Sequence, residues 1–180
     1  MYFKTLGLGA LVVAAMAALA GTASATTLTS PEGTTYTGFV DATSMNSELD
    51  GAFVTVKCGH SDIEAIITGH GIGAASGTVT GMTFSECNYK VTVRATGWLD
   101  IDSSNTVKSS GAQIEIATSV GTCIFSTLST DIGTLTEGSW PKLDINSAKI
   151  PRTGGNFLCG SSGTWTGSYS IWNPFTLWVD

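Results

Sequence analysis

Charged residues are scarce in this sequence. Only 12% of its 180 residues are charged, with eight Lys and Arg against fourteen Asp and Glu, whereas an average soluble domain has about 25%. A nucleic-acid-binding protein needs a positive surface that neutralises phosphates, so the formal net charge of −6 argues against a nucleic-acid partner. Hydroxyl residues, 27 Thr and 20 Ser, make up the deficit. We therefore expect a polar but weakly charged surface.

Histidine and closely spaced cysteines, the usual ligands of zinc, are also scarce. The chain has two histidines, and its four cysteines, Cys58, Cys87, Cys123 and Cys159, lie far apart. Zinc sites use cysteine pairs separated by about two to four residues, so we expect no metal and no cofactor. An even number of cysteines in an exported chain instead predicts two disulfide bonds. Three connectivities are possible; we favour bonds between nearest neighbours, since each would then close a local group of hairpins.

Only one long apolar run occurs, and it lies at the N-terminus. Lys4 precedes an apolar run over residues 6–20, which Ala23-Ser24-Ala25 follows. These are the three parts of a secretory signal peptide, and the run is shorter than the roughly 20 residues of a membrane-spanning helix. We predict a signal peptide at residues 1–25 and a single disulfide-stapled β domain at residues 26–180 without a membrane span. The expected location is extracellular, on the cell surface or periplasmic.

Helical periodicity is missing from the rest of the chain, where apolar and polar residues alternate instead. Val91 and Val93, and later Leu143 and Ile145, are examples of apolar residues at every second position. Such short runs, bounded by Gly, Ser, Asn or Pro, are typical of strands with one buried face. Strands of this kind pack as a sandwich or a barrel. We therefore predict an all-β fold, an antiparallel β-sandwich or flattened barrel of about ten strands.

Two segments contain residue types used in catalysis or calcium binding, but their spacing fits neither use. His60, Ser61 and Asp62 are consecutive, and consecutive strand residues point to opposite faces, so they cannot form a catalytic relay. The segment from Asp100 to Asn105 begins like a calcium loop but lacks the glycine and the glutamate that such a loop requires. We predict that the protein is not an enzyme.

Tryptophans near the C-terminus are the candidates for ligand or partner binding. Phe175 and Leu177 are two positions apart and therefore on one face of the predicted strand, which we expect to be the core face; Trp178 is on the other face. Trp172 alternates in the same way with the apolar residues of its segment. Both would then face solvent, where an indole ring can stack on a sugar or enter a partner surface. Trp140 is a third candidate.

Three segments carry a resemblance to other proteins. They read KIPRTGGNFLCGSSGTWTGSY at 149–169, TFSEC at 83–87 and VGTC at 120–123. The sequence resembles a loose set of exported bacterial proteins that are rich in Ser, Thr and Gly, have two disulfides and an all-β fold, and have no assigned activity. The resemblance implies export, an all-β architecture and a bacterial source. It implies no functional residue.

Two functional hypotheses follow from the sequence. The first is a non-catalytic secreted or cell-envelope β-domain with a structural or adhesive role and the capacity to self-associate, because weakly charged strand edges offer little repulsion to a second copy. The alternative is a module that binds a glycan or a small hydrophobic ligand through exposed C-terminal tryptophans. The expected partners are the protein itself or an extracellular glycan or envelope component.

Overall fold

The computed structural model describes residues 25–119 and 121–180. Within these residues the chain is built from antiparallel strands, and the one helical element is a 3-10 turn at Phe157–Cys159. The predicted signal peptide lies outside the described residues, except for Ala25. The strands are Ala25–Thr26 (β1), Leu28–Thr29 (β2), Phe39–Ser44 (β3), Ser47–Gly51 (β4), Thr55–Ile72 (β5), Ala74–Cys87 (β6), Lys90–Ala95 (β7), Trp98–Ile101 (β8), Thr106–Ser110 (β9), Gln113–Thr118 (β10), Gly121–Ser126 (β11), Thr130–Thr136 (β12), Gly138–Ser139 (β13), Lys142–Gly155 (β14), Ser162–Asn173 (β15) and Thr176–Val179 (β16).

Eight of these strands close into a ring. In order around it they are β3, β5, β6, β8, β9, β12, β14 and β15, and β15 pairs back onto β3. Strand β4 continues the line of β3, since both pair with β5 in the same register, with Ser44 opposite Ser61 and Ser47 opposite Cys58. The all-β antiparallel prediction is confirmed, and the main sheet is a closed barrel with extra strands more clearly than a sandwich.

The extra strands extend the barrel at one end. Strand β14 is long enough to pair with β12 near its start and with β11 near its end, and β10 and β7 follow β11 outwards. A separate three-stranded sheet contains β13, β16 and β2. The strands number more than the ten expected because several short pairings, such as β13 with β16, do not produce a readable alternation of their own.

Alternation along each strand decides which side chains form the core. In β5, Ile63, Ala65 and Ile67 are buried on the inner face. Tyr169 of β15 and Ile116 of β10 are completely buried. The expectation that Phe175 faces the core is wrong, since this residue is 62% exposed. It lies in the short connection between β15 and β16, where the alternation of inward and outward side chains is interrupted.

Two disulfides close the structure, with the nearest-neighbour pairing that the sequence analysis favours. Cys58 and Cys87 are opposite each other in the β5–β6 ladder and are bonded. Cys123 of β11 is bonded to Cys159 of the 3-10 turn. Among the described residues no cysteine is free. The two bonds indicate an oxidising environment, as in exported proteins.

Candidate ligand-binding site

The three candidate tryptophans differ in exposure. Trp172 is 52% exposed and Trp140 is 66% exposed, whereas Trp178 is half-buried. Trp140 contacts Phe175 edge to face, with ring centroids 5.1 Å apart, and its backbone N–H donates to the Phe175 carbonyl. An exposed aromatic pair of this kind can provide a stacking surface.

The register places a further aromatic residue at the same end of the barrel. Asp41 of β3 is opposite Asn173 of β15, and Phe39, two residues before Asp41, is the first residue of β3 at this end. Phe39 is 57% exposed. We call Phe39, Trp140, Trp172 and Phe175 the aromatic rim. These four exposed rings come from three separate parts of the chain, and the closing of β15 onto β3 and β14 brings them to one end.

A cleft on the outer face of the barrel begins at Trp172. Its volume is about 210 Å³. It crosses four neighbouring strands, β15, β3, β5 and β6, and its described lining includes three carboxylates and no lysine or arginine. We call this feature the Trp172 cleft; its polar and aromatic lining residues are Asp41, Thr43, Asp62, Glu64, Thr83 and Trp172.

Two of the three carboxylates of the cleft, Asp41 and Asp62, are held by neighbouring side chains. Thr43 Oγ1 and Thr83 Oγ1 donate to the two carboxylate oxygens of Asp62, at 2.8 Å and 3.0 Å. Asn173 Nδ2 donates to Asp41 Oδ2 at 2.7 Å. Because these partners lie on the adjacent strands, the sheet itself orients the carboxylates, and such fixed oxygens are suited to accept hydrogen bonds from a bound ligand.

Glu64 reaches its place because the neighbouring strand has a glycine. Asp41 and Glu64 are opposite each other on β3 and β5, and Glu64 is opposite Gly81 on β6. A Cβ at Gly81 would lie 2.8 Å from Glu64 Oε2, so a larger residue would displace this carboxylate. Like charges directly opposite on neighbouring strands are unfavourable. The cleft therefore carries negative charge at a cost in stability.

Ser61 does not face the cleft. His60 Nε2 lies 3.2 Å from Asp62 Oδ1 on the outer face, but Ser61 is buried on the inner face, where its Oγ lies 2.9 Å from the Tyr169 hydroxyl and 3.1 Å from Ser47 Oγ. The three consecutive residues therefore form no relay. The serine is part of a buried hydroxyl network instead.

The segment at Asp102 has a structural role in a turn. Asp102 Oδ1 accepts hydrogen bonds from the backbone N–H groups of Ser104 and Thr106 and from the Ser104 hydroxyl. These bonds lower the pKa of the Asp102 carboxyl, the Ser104 hydroxyl bond being the main cause. The aspartate thus closes the β8–β9 hairpin as an Asx turn. Within the described residues no group of three or more His, Cys, Asp or Glu side chains is arranged to hold a metal ion.

Sequence reasoning identified Trp172 and Trp140 as candidates but missed the carboxylates beside Trp172. The sequence pattern that could have identified these acids is alternation: Asp62 and Glu64 alternate with Ile63 and Ala65, which places both acids on the outer face of β5. Their meeting with Asp41 depends on the register between β3 and β5, which alternation alone does not reveal.

In the part of the chain that the structure describes, no helix has the length and apolar character needed to cross a membrane. No protein-family model, curated protein sequence or solved structure matches this chain.

Proposed function

We propose that this protein is a non-catalytic adhesive β-domain, exported to the cell envelope or the extracellular space, and that it binds a neutral or amino sugar in the Trp172 cleft. The observation that carries the proposal is the combination of an exposed indole ring with three carboxylates in one cleft, two of which, Asp41 and Asp62, are oriented by hydrogen bonds. Aromatic rings stack on the apolar faces of sugars, and carboxylates accept hydrogen bonds from their hydroxyl groups.

The charge of the cleft supports a choice among sugars. Asp41, Asp62 and Glu64 supply negative charge, and no lysine or arginine belongs to the described lining of the cleft. A sugar carboxylate would therefore meet like charge, whereas a hydroxyl or an ammonium group would find acceptors. We expect uronic acids to be rejected. The remaining rings of the aromatic rim offer stacking surface for further units of an oligosaccharide.

Isothermal titration with three oligosaccharides tests the proposal: a neutral glucan hexamer, a glucosamine hexamer and a galacturonic acid hexamer. We expect the neutral or the amino hexamer to bind, and the acidic hexamer to bind at least about ten-fold more weakly. Trp172→Ala should weaken binding at least about ten-fold. Trp98→Ala is the matched control, because Trp98 is 51% exposed but is not one of the residues that line the cleft.

Two results would count against this function. One is the absence of binding to all three oligosaccharides. The other is an equal effect of Trp172→Ala and Trp98→Ala, which would mean that exposed tryptophan in general, and not the cleft, causes the interaction.

Self-association is a second candidate function. The exposed contact between Trp140 and Phe175 favours association through this aromatic pair over association through pairing of strand edges. Strand β7 pairs with β10 on one side, but its Lys90 and Arg94 are exposed, and charged residues on an edge strand oppose pairing with another chain. Sedimentation velocity over a hundred-fold concentration range tests this candidate. A concentration-dependent dimer that Trp140→Ala abolishes would support it, and a monomer throughout would refute it.

A further inference from the structure

The first described residues of the chain form a strap, which we define as residues 25–36. Strand β1 pairs with the end of β5, and β2 pairs with β16, each through two residue pairs. Thr27 and Asp180 exchange two backbone hydrogen bonds. Leu28 of the strap is completely buried and belongs to the core. The strap is therefore packed onto the core, although its strand pairings are short.

His70, near the end of β5, attaches the strap through both nitrogens of its ring. The Leu28 N–H donates to His70 Nδ1 at 3.3 Å, and His70 Nε2 lies 3.0 Å from the Tyr36 carbonyl oxygen. The Tyr36 N–H in turn donates to the Leu28 carbonyl at 2.8 Å. The imidazole thus joins both ends of the strap hairpin to β5.

These two backbone partners assign the protonation state of the ring. A backbone N–H can only donate and a carbonyl oxygen can only accept, so Nδ1 of His70 is the acceptor and Nε2 carries the proton. The ring is therefore neutral and in one tautomer while the strap is attached. A histidinium ring has an N–H at both nitrogens. Uptake of a proton would turn Nδ1–H towards the Leu28 N–H and leave this buried backbone group without its acceptor.

The elements next to His70 carry no positive charge that would oppose this uptake. The strap, β6, β8 and β16 contain no lysine or arginine, and among the described residues no ion pair includes His70. The Tyr36 hydroxyl donates to the Phe39 carbonyl, and the Asp180 carboxylate accepts from Thr29. The other titratable groups of these elements and of β5 are Glu32, Lys57, His60, Asp62, Glu64, Glu86 and Asp100. On β5 the closest of them in sequence is an acid, Glu64, which does not disfavour a histidinium.

We propose that His70 is a pH-sensitive latch for the strap: when its imidazole takes up a proton, the attachment of residues 25–36 to the barrel weakens. The proton and the Leu28 N–H compete for Nδ1, so the released state binds more protons and attachment weakens as pH falls. Histidine changes its charge between about pH 8 and pH 5, which sets the range of the switch. Loosening of the strap uncovers the core around Leu28 and removes the partner of β16, the strand that follows Phe175 of the aromatic rim. The proposal does not depend on the glycan-binding function.

Amide hydrogen exchange of the full chain, followed by NMR between pH 7.5 and pH 5.0, tests the latch. The quantity compared is the protection factor, the exchange rate of the unfolded chain divided by that of the folded chain at the same pH. We expect the protection factor of the Leu28 amide to fall at least about five-fold on acidification, since one buried hydrogen bond is lost. The Ile171 amide, which donates to the Pro141 carbonyl at 2.9 Å, should keep its protection. The ¹⁵N shifts of the His70 ring should change with the same midpoint as the protection of Leu28.

A pair of matched variants separates His70 from the other groups that titrate. His70→Gln keeps a side chain that can form hydrogen bonds but cannot be protonated in this range, so the protection of Leu28 should no longer depend on pH. His60→Gln is the control, because His60 lies beside Asp62 on the outer face, and this variant should behave like the wild type. Equal protection of Leu28 at both pH values in the wild type, or a fall that persists in His70→Gln, would overturn the proposal. If His70→Gln does not fold, different midpoints for Leu28 and the His70 ring in the wild type would overturn it.

Discussion

Removal of the Tyr169 hydroxyl tests whether the buried hydroxyl network stabilises the fold. Tyr169 is completely buried, and its hydroxyl lies 2.9 Å from Ser61 Oγ, which is itself 3.1 Å from Ser47 Oγ. Tyr169→Phe preserves the shape of the ring, so it opens little cavity. It removes the Tyr169 partner of Ser61, which keeps its contact with Ser47 Oγ; loss of one buried hydrogen bond costs about 0.5–1.5 kcal/mol, and up to about 3 kcal/mol where a polar group is left unsatisfied.

We expect Tyr169→Phe to lower the free energy of unfolding by about 1–2 kcal/mol, which corresponds to a decrease of about 2–8 °C in Tm for a domain of this size. Urea unfolding followed by circular dichroism measures the difference. Tyr36→Phe is the matched control, because the Tyr36 hydroxyl donates to the Phe39 carbonyl at an exposed site, where water can replace the lost bond. Its cost should stay below about 0.5 kcal/mol.

A double-mutant cycle with Ser61→Ala identifies the interaction itself. If the hydroxyls of Ser61 and Tyr169 satisfy each other, the double variant should be less destabilised than the sum of the single variants, with a coupling of about 0.5 kcal/mol or more. Additive effects, or a Tyr169→Phe variant no less stable than Tyr36→Phe, would refute the reasoning.

The same tyrosine should make stability depend on alkaline pH. Burial raises the pKa of Tyr169 to about 12, and the hydrogen bond with Ser61 opposes the shift only partly. The unfolded chain loses this proton near pH 10, so above that pH the folded state binds more protons and stability falls as pH rises. The contribution is complete below pH 10 and is lost by about pH 12. It amounts to about 3 kcal/mol, and Tyr169→Phe should lack this part of the pH dependence.

Two further predictions concern the cross-links and the close approach of two strands. The cysteines of each disulfide are 29 and 36 residues apart, so replacing either pair by alanine should cost about 3–4 kcal/mol in urea unfolding; a loss below about 1 kcal/mol would contradict the prediction. Gly133→Ala would place a Cβ 2.1 Å from the Asp144 carbonyl oxygen and should cost about 3 kcal/mol, whereas Gly71→Ala, with its nearest atom at 3.7 Å, should cost less than about 1 kcal/mol. Equal Tm values for these two glycine variants would show that β12 and β14 can separate at little cost.

Much of the local structure was predictable from the sequence. The alternation of Ile63, Ala65 and Ile67 with polar neighbours is a local property of one strand, and these three residues are buried as it predicts. Trp172 faces outwards for the same reason. The alternation does not predict the exposure of Phe175, because β15 ends at Asn173 and the alternation of inward and outward residues begins anew in β16.

The sequence by itself determined the strands, their inner faces and the all-β class, since side chains of a strand alternate whatever the strand packs against. Only the tertiary structure decided the closure of β15 onto β3 and the meeting of Asp41 and Glu64 beside Trp172. These features depend on which strands pair and in which register. Residues far apart in the chain settle that choice together, through the packing of a shared core and the disulfides that join it.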